Sequence, residues 1–372
     1  MAKNDIVLFG MGDVGPIHEP MSRYSELVRD TLETGDIRFA QAELIFSSLG
    51  KLQVHAAGEH GRGRPEFASV FSDCKIDVAS VASNHALTFG VEAFFDSMES
   101  LRSRGVTPVG GGRNRDEACR PVYVERDSIR VAFLAYCSVL PEGYAAGKDR
   151  PGAAPLRAHT YYEPYESQPG MPPRIVTIPF EEDLNILLDN VREAKRNAHC
   201  VVVSFHWGIH HIPRMIADYQ HIATKMVFEA GGDLILGHHA HMPKGIGVHG
   251  GKVCFYSLSN FIMTVHERTP ERSATFLRRY APFGATLDPD PAYRHLPHGS
   301  DGKRSMIAKA ILSKEGVRRV SFLPVLIDRQ LRPEILRNGD PRFDEMVQYM
   351  DWASEELNHK FSVEGDEVVV LG

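Results

Sequence analysis

Short, unbroken apolar runs alternate with amphipathic stretches along most of the chain, and this alternation restricts the fold more than any other feature. Residues 5–12 (DIVLFGMG), 36–44 (DIRFAQAEL), 76–83 (IDVASVAS), 129–137 (IRVAFLAYC), 199–208 (HCVVVSFHWG) and 233–239 (DLILGHH) read as strands. Residues 25–34, 66–74, 90–105, 181–197 and 220–232 read as helices, with Gly105 as a helix stop. Strands this apolar belong in sheets covered on both faces, so the expected class is α/β. Residues 252–261 and 304–327 read as strands of a more antiparallel kind, with Lys-Glu-Gly at 314–316 as a hairpin turn. Two stretches break the rhythm. Residues 141–173 are rich in Pro, Gly and Tyr, and residues 264–304 mix Arg, Pro, His and aromatics. Both read as long loops inserted in one domain spanning 1–372, and the second is a candidate lid carrying His266, Arg268, Tyr280, His295 and His298.

The residues that follow the strands carry the chemistry. Asp13 ends the first run, Glu43 the second, Asn84 and His85 the third, and His206 a later one. His238, His239 and His241 crowd four positions after the run at 233–237. In open α/β sheets, sites form outside the carboxyl ends of the strands, so residues far apart in sequence converge there. Each has an ordinary reading as well: a turn aspartate, a helix cap in Ser-Asn, a packed core histidine. Together they offer two carboxylates, one amide oxygen and at least three imidazoles, enough for two ions sharing a carboxylate. On an extended segment His239 and His241 point the same way and His238 the opposite way, into the protein body.

Composition narrows the function classes. The net charge of −6 supplies no basic footprint for nucleic acid. No stretch approaches the roughly 20 apolar residues of a membrane span, and the N-terminal apolar run is too short for a signal peptide. The five cysteines are widely separated, as expected of reduced thiols in the cytoplasm. Arg62 and Arg64, in Gly-Arg-Gly-Arg-Pro, and His210 and His211, after the His206 strand, are candidate substrate-binding residues for an anionic small molecule or oligomer.

The segments GDVGP, AELIFSSLG, SNHALTFGVEAFFDSMESL, HWGIHHIP and the run from Ala230 to Phe261 resemble, in order, the motifs of the capsule-biosynthesis CapA family. That family, also called poly-gamma-glutamate synthesis or PGA-cap, belongs to the calcineurin-like metallophosphoesterases. The resemblance covers residue 5 to about 262 and is most specific over 199–262. It implies a four-layer α/β/β/α sandwich with two divalent metal ions (Mn, Zn or Fe). It implies Asp13 and His241 on one ion, Asn84, His206 and His239 on the other, and Glu43 as the bridge. His85 resembles the histidine acting on the leaving group, and His238 supports the ligands from outside. Gly15 stands where the wider superfamily has a histidine, Glu43 where it has an aspartate, and Ser259 where the CapA motif has a glycine. Many members carry a membrane anchor, and no such segment is read here. The resemblance implies a soluble hydrolase that attacks a phosphoester or an amide-type bond with water activated by the ions. The alternative is a non-catalytic accessory protein of capsule or poly-gamma-glutamate synthesis.

Overall fold

The computed structural model describes residues 5–53, 61–166, 170–210, 212–267, 274–275, 278, 281, 290–296 and 299–372. A ten-stranded sheet is built around β1 (Ile6–Gly15). On one side β2 (Ile37–Ala42), β3 (Val78–Ser80) and β4 (Thr107–Val109) add in parallel. On the other side β16 (Arg304–Ser313) and β17 (Gly316–Ile327) form a long antiparallel hairpin that pairs with β1. The chain's last strands, β19 (Lys360–Glu364) and β20 (Glu367–Leu371), extend that side, and β18 (Pro333–Ile335) pairs with β17. β1 changes partner part-way. Ile6–Gly10 pair with β16, whereas Asp13–Gly15 pair with β15 (Asn260–Met263) across an irregularity at Asp13/Val14.

The second sheet runs β13 (Ile246–His249), β14 (Lys252–Phe255), β12 (Leu234–His238), β11 (Cys200–His206), β7 (Ile129–Cys137) and β6 (Val122–Arg126). Its inner strands are parallel and apolar on both faces, as doubly covered strands are. Along β7, Val131, Phe133 and Ala135 face the first sheet, where Phe133 stacks on Phe39 at 5.6 Å between ring centroids. Ala132, Leu134 and Tyr136 face outward, beneath α5 (Glu181–Asn197) and α6 (Asp218–Ala230).

The outer face of the first sheet is covered by the segment of α1 (Arg29–Glu33) and α2 (Ser69–Asp73) and by α3 (Val91–Arg102). Gly35, just after α1, lies against the Phe9 ring, and Phe94 of α3 lies against β5 (Gly111–Gly112). The short helix α4 (Arg115–Ala118) follows β5, and α7 (Pro341–Ser354) packs on β13 and β17. The result is four layers, helix, sheet, sheet and helix, as expected from the resemblance.

Some boundaries differ from the sequence reading. Residues 141–173, read as loop, contain β8 (Gly152–Ala153) and β9 (Ala158–Glu163), and β9 pairs with β10 (Arg174–Pro179). Of the helix read over 25–34, only Arg29–Glu33 is α-helical, after a 3-10 turn at Met21–Ser25. Most of residues 268–289, with Arg268 and Tyr280, lie outside the described residues, as does His298.

Candidate metal centre

The two sheets deliver their polar strand ends to one place. Asp13 sits where β1 leaves β16 for β15, with its backbone N–H donating to Ser259 O at 2.9 Å. A Cβ on Gly12 would meet Ser259 O at 2.0 Å, so only glycine permits this approach. Glu43 follows β2, and its backbone N–H donates to Val14 O. His206 ends β11 in the row of Cys200 and Val202, which faces the first sheet. In register beside it, His238 ends β12. Beyond β12 the chain bends with positive φ at His239 (88°) and His241 (53°). Left-handed backbone at non-glycine residues is concentrated at functional sites.

The convergence is close. His206 Nδ1 lies 3.5 Å from Glu43 Oε2, and His241 Nε2 and His85 Nε2 each lie 3.6 Å from Glu43 Oε1. His206 Nε2 is 2.7 Å from Asn84 Oδ1 and 3.1 Å from His239 Nδ1. Asp13 Oδ2 is 3.3 Å from His241 Nδ1, and Asp13 Oδ1 is 3.4 Å from His238 Nδ1. Asp13, Glu43 and His206 each offer one ligand atom within 4.8 Å of the others, a spacing that suits a divalent cation. The structure thus brings together Asp13, Glu43, Asn84, His85, His206, His239 and His241, the set read from the sequence. His238 lies against the Asp13 carboxylate, because the even positions of β12, Leu234 and Leu236 among them, face the first sheet.

Two supporting residues were not singled out from the sequence. Asn260, near the end of the run from Ala230 to Phe261, donates from Nδ2 to His241 O (3.2 Å) and Gly302 O (2.9 Å). This fixes its Oδ1 toward His241 Nδ1 at 2.8 Å, so that ring donates from Nδ1 and turns Nε2 toward Glu43. Ser83 Oγ, in Ser-Asn-His, contacts Glu43 Oε2 at 3.1 Å. Both sit in motifs legible in the chain, but nothing in their residue type marks a supporting role.

The electrostatics of the cluster are those of a cation site. Burial raises the Glu43 carboxyl well above its ordinary range, and the neighbouring Asp13 pushes it the same way. Burial pushes Asp13 up as well, but the imidazoles of His238 and His241 beside it outweigh that and hold it far below its usual value. Burial keeps His206 and His239 well below the ordinary imidazole value, so both present neutral nitrogen lone pairs. Asp13 Oδ1, Glu43 Oε1, His206 Nδ1 and both ring nitrogens of His238 are buried without a hydrogen-bond partner among the described residues. Orphaned buried polar atoms are costly, and this mixed oxygen and nitrogen set fits a divalent metal.

His210 stacks on His239 at 3.7 Å and stands 5.4 Å from His241, at the edge of the cluster. His211 lies outside the described residues. Arg62 is held locally, donating to Ser47 O (2.5 Å) and Leu49 O and lying over Phe89. Arg64 pairs with Glu19 and lies over Phe67.

The profile of the family described as bacterial capsule synthesis protein PGA_cap matches residues 6–265. The chain belongs to the PGA_cap family. Among curated relatives, the PGA biosynthesis protein CapA of Bacillus subtilis is 29% identical over 204 residues, covering 55% of this chain and 47% of that protein. The capsule biosynthesis protein CapA of Bacillus anthracis is 26% identical, covering 55% and 44%. A probable polyglutamine synthesis accessory protein of Mycobacterium tuberculosis is 26% identical, covering 54% and 49%. The matches span about half the length of these relatives. Among solved structures, a hypothetical protein from Thermus thermophilus superposes with a TM-score of 0.48 at 14% identity, covering 86% of this chain and 98% of that one. A calcineurin-like phosphoesterase from Bacillus subtilis superposes with a TM-score of 0.40 at 11% identity, covering 84% and 87%.

Proposed function

We propose that this PGA_cap protein is a hydrolase that binds two divalent ions, on Asp13 and His241 and on Asn84, His206 and His239, with Glu43 between them. The observation that supports this reading is the buried meeting of Asp13, Glu43 and His206, with ligand atoms within 4.8 Å and orphaned oxygens and nitrogens. When bound, the ions supply Lewis acidity and lower the pKa of water from 15.7 toward ~7. Glu43 then loses the proton that burial favours and serves both sides of the site. Asn260 holds the His241 ring in the orientation that turns Nε2 inward. His85 retains 18% side-chain exposure at the edge of the buried cluster. From there it delivers a proton to the leaving oxygen or nitrogen, work worth about 10²–10⁴-fold.

The substrate is an anionic phosphoester or an amide related to glutamyl polymers. All five cysteines are buried and free, in keeping with reduced thiols and action in the cytoplasm. Among the described residues no helix is long and apolar enough to cross a membrane. The test is elemental analysis of the purified protein, then a panel of phosphoesters, γ-glutamyl peptides and lactams with added manganese or zinc. Metal-dependent turnover is expected. His85→Asn should keep the metal yet lower turnover about 10²-fold or more. A loaded protein that turns over nothing in the panel would instead favour an accessory role, the role named in the mycobacterial relative.

A further inference from the structure

A second group of imidazoles lies at the same end of the first sheet. The segments that leave β1 and β15 run side by side: Ile17 N donates to Thr264 Oγ1 at 2.9 Å, and Val265 N donates to His295 O at 2.9 Å. This brings His18, five positions after Asp13, against His295, with ring centroids 4.4 Å apart. The two rings share one acceptor. His18 Nε2 is 3.0 Å and His295 Nδ1 is 3.1 Å from Val265 O. A carbonyl oxygen only accepts, so each ring donates there and keeps its other nitrogen, His18 Nδ1 and His295 Nε2, as a lone pair. An imidazole that donates one N–H to a backbone carbonyl and offers the opposite nitrogen is the usual arrangement of a metal-bound histidine. His266 is exposed, with its ring centroid 6.4 Å from that of His18.

We propose that His18 and His295, joined by His266 through a side-chain rotation, form a second metal site, apart from the buried cluster, which takes a borderline divalent cation such as Zn²⁺ where the segments after β1 and β15 meet. Neutral imidazole is the ligand form, and burial, then the neighbouring His295 and His266, keep His18 below its ordinary value. His18 is half-buried and His266 exposed, so the cation retains positions open to water or to a carboxylate or phosphate oxygen. Such a cation also ties the N-terminal segment at residues 16–20 to the start of the region between residues 264 and 304.

The site is separable from the hydrolase reading, because it shares no residue with the buried cluster. Zinc bound per full-length chain is measured by equilibrium dialysis and elemental analysis in a Glu43→Ala background, with and without His18→Gln and His295→Gln. Glutamine retains an amide N–H for Val265 O, so the backbone contact survives. The variant with both glutamines is expected to bind one zinc fewer than Glu43→Ala alone. Equal zinc content in the two proteins would overturn the proposal while leaving the buried cluster untouched. Far-ultraviolet circular dichroism of each variant verifies folding. Should the double glutamine variant unfold, His266→Ala in the same background decides by loss or retention of high-affinity zinc.

Discussion

Glu43 and Asp13 are both fully buried carboxylates, and their neighbours send them in opposite directions. With imidazoles on both flanks of Glu43, its removal should affect every ion in the cluster. Glu43→Ala is expected to lower the metal held by the buried cluster from about two ions to one or none, read by elemental analysis after dialysis in a His18→Gln, His295→Gln background. Full retention of two ions would take Glu43 out of the site. Lys244, three positions after His241, is buried, and its ammonium donates to Ile212 O. Burial lowers its pKa from 10.5 to about 7, against the pull of Asp301. At ~1.4 kcal/mol per unit, holding that charge inside costs about 4–5 kcal/mol at neutral pH. Losing the bond to Ile212 O costs about 1–3 kcal/mol. Lys244→Met should therefore stabilise the fold by about 2 kcal/mol near pH 7. A depressed pKa adds stability above the unfolded value that is lost as pH falls to the folded one. The wild type should thus become more stable from about pH 7 toward 10.5, and the advantage of the variant should shrink over that window. Denaturant melts at several pH values measure both.

At the scale of elements, the site depends on close backbone approaches that only glycine allows. Gly237, inside β12, carries no Cβ because one would lie 2.2 Å from Tyr256 O. Gly237→Ala should push β12 away from the chain after β14, destabilise the fold by about 1–3 kcal/mol and disturb the histidines that follow. Urea melts and metal content should fall together; a variant with lowered stability and full metal would separate the strand from the site. The sequence was most readable where burial is two-sided. The strands that carry or lead into Asp13, Glu43 and His206 announced themselves as apolar runs reaching a polar residue, and α5 was read at its observed bounds because charged and apolar residues alternate at helical period. It was least readable where burial is absent. β9 and β10 are largely exposed, so their Tyr- and Thr-rich residues carry no alternation to mark a hairpin. The placement of His239 and His241 turned on two positive φ angles, which residue type alone does not announce. Arg62 and Arg64 had the chemistry for anions, but their nearest acceptors are the carbonyls of the Ser47–Leu49 turn and Glu19.

For the whole molecule, the family match ends at residue 265, while the sheet does not. β1 is flanked by β2 on one side and by β16, residues Arg304–Ser313, on the other. A chain cut after residue 265 should lack cooperative thermal unfolding by circular dichroism, because Ile6–Gly10 lose the partner that covers their edge. A truncated chain with a sharp, full-amplitude melt would show that the matched region folds alone. The position of β16 also sets the order of events during synthesis. β16 emerges from the ribosome about 290 residues after β1. At ~5–20 residues per second, that delay is on the order of 15–60 s. Asn260 of β15, the partner of Asp13, and His206, His238, His239 and His241 all emerge within that interval, so the residues of the cluster are complete before Ile6–Gly10 gain β16. Ile6–Gly10 of the newborn chain therefore pass through a period with β2 alongside and their other edge open, an apolar edge that β16 later covers.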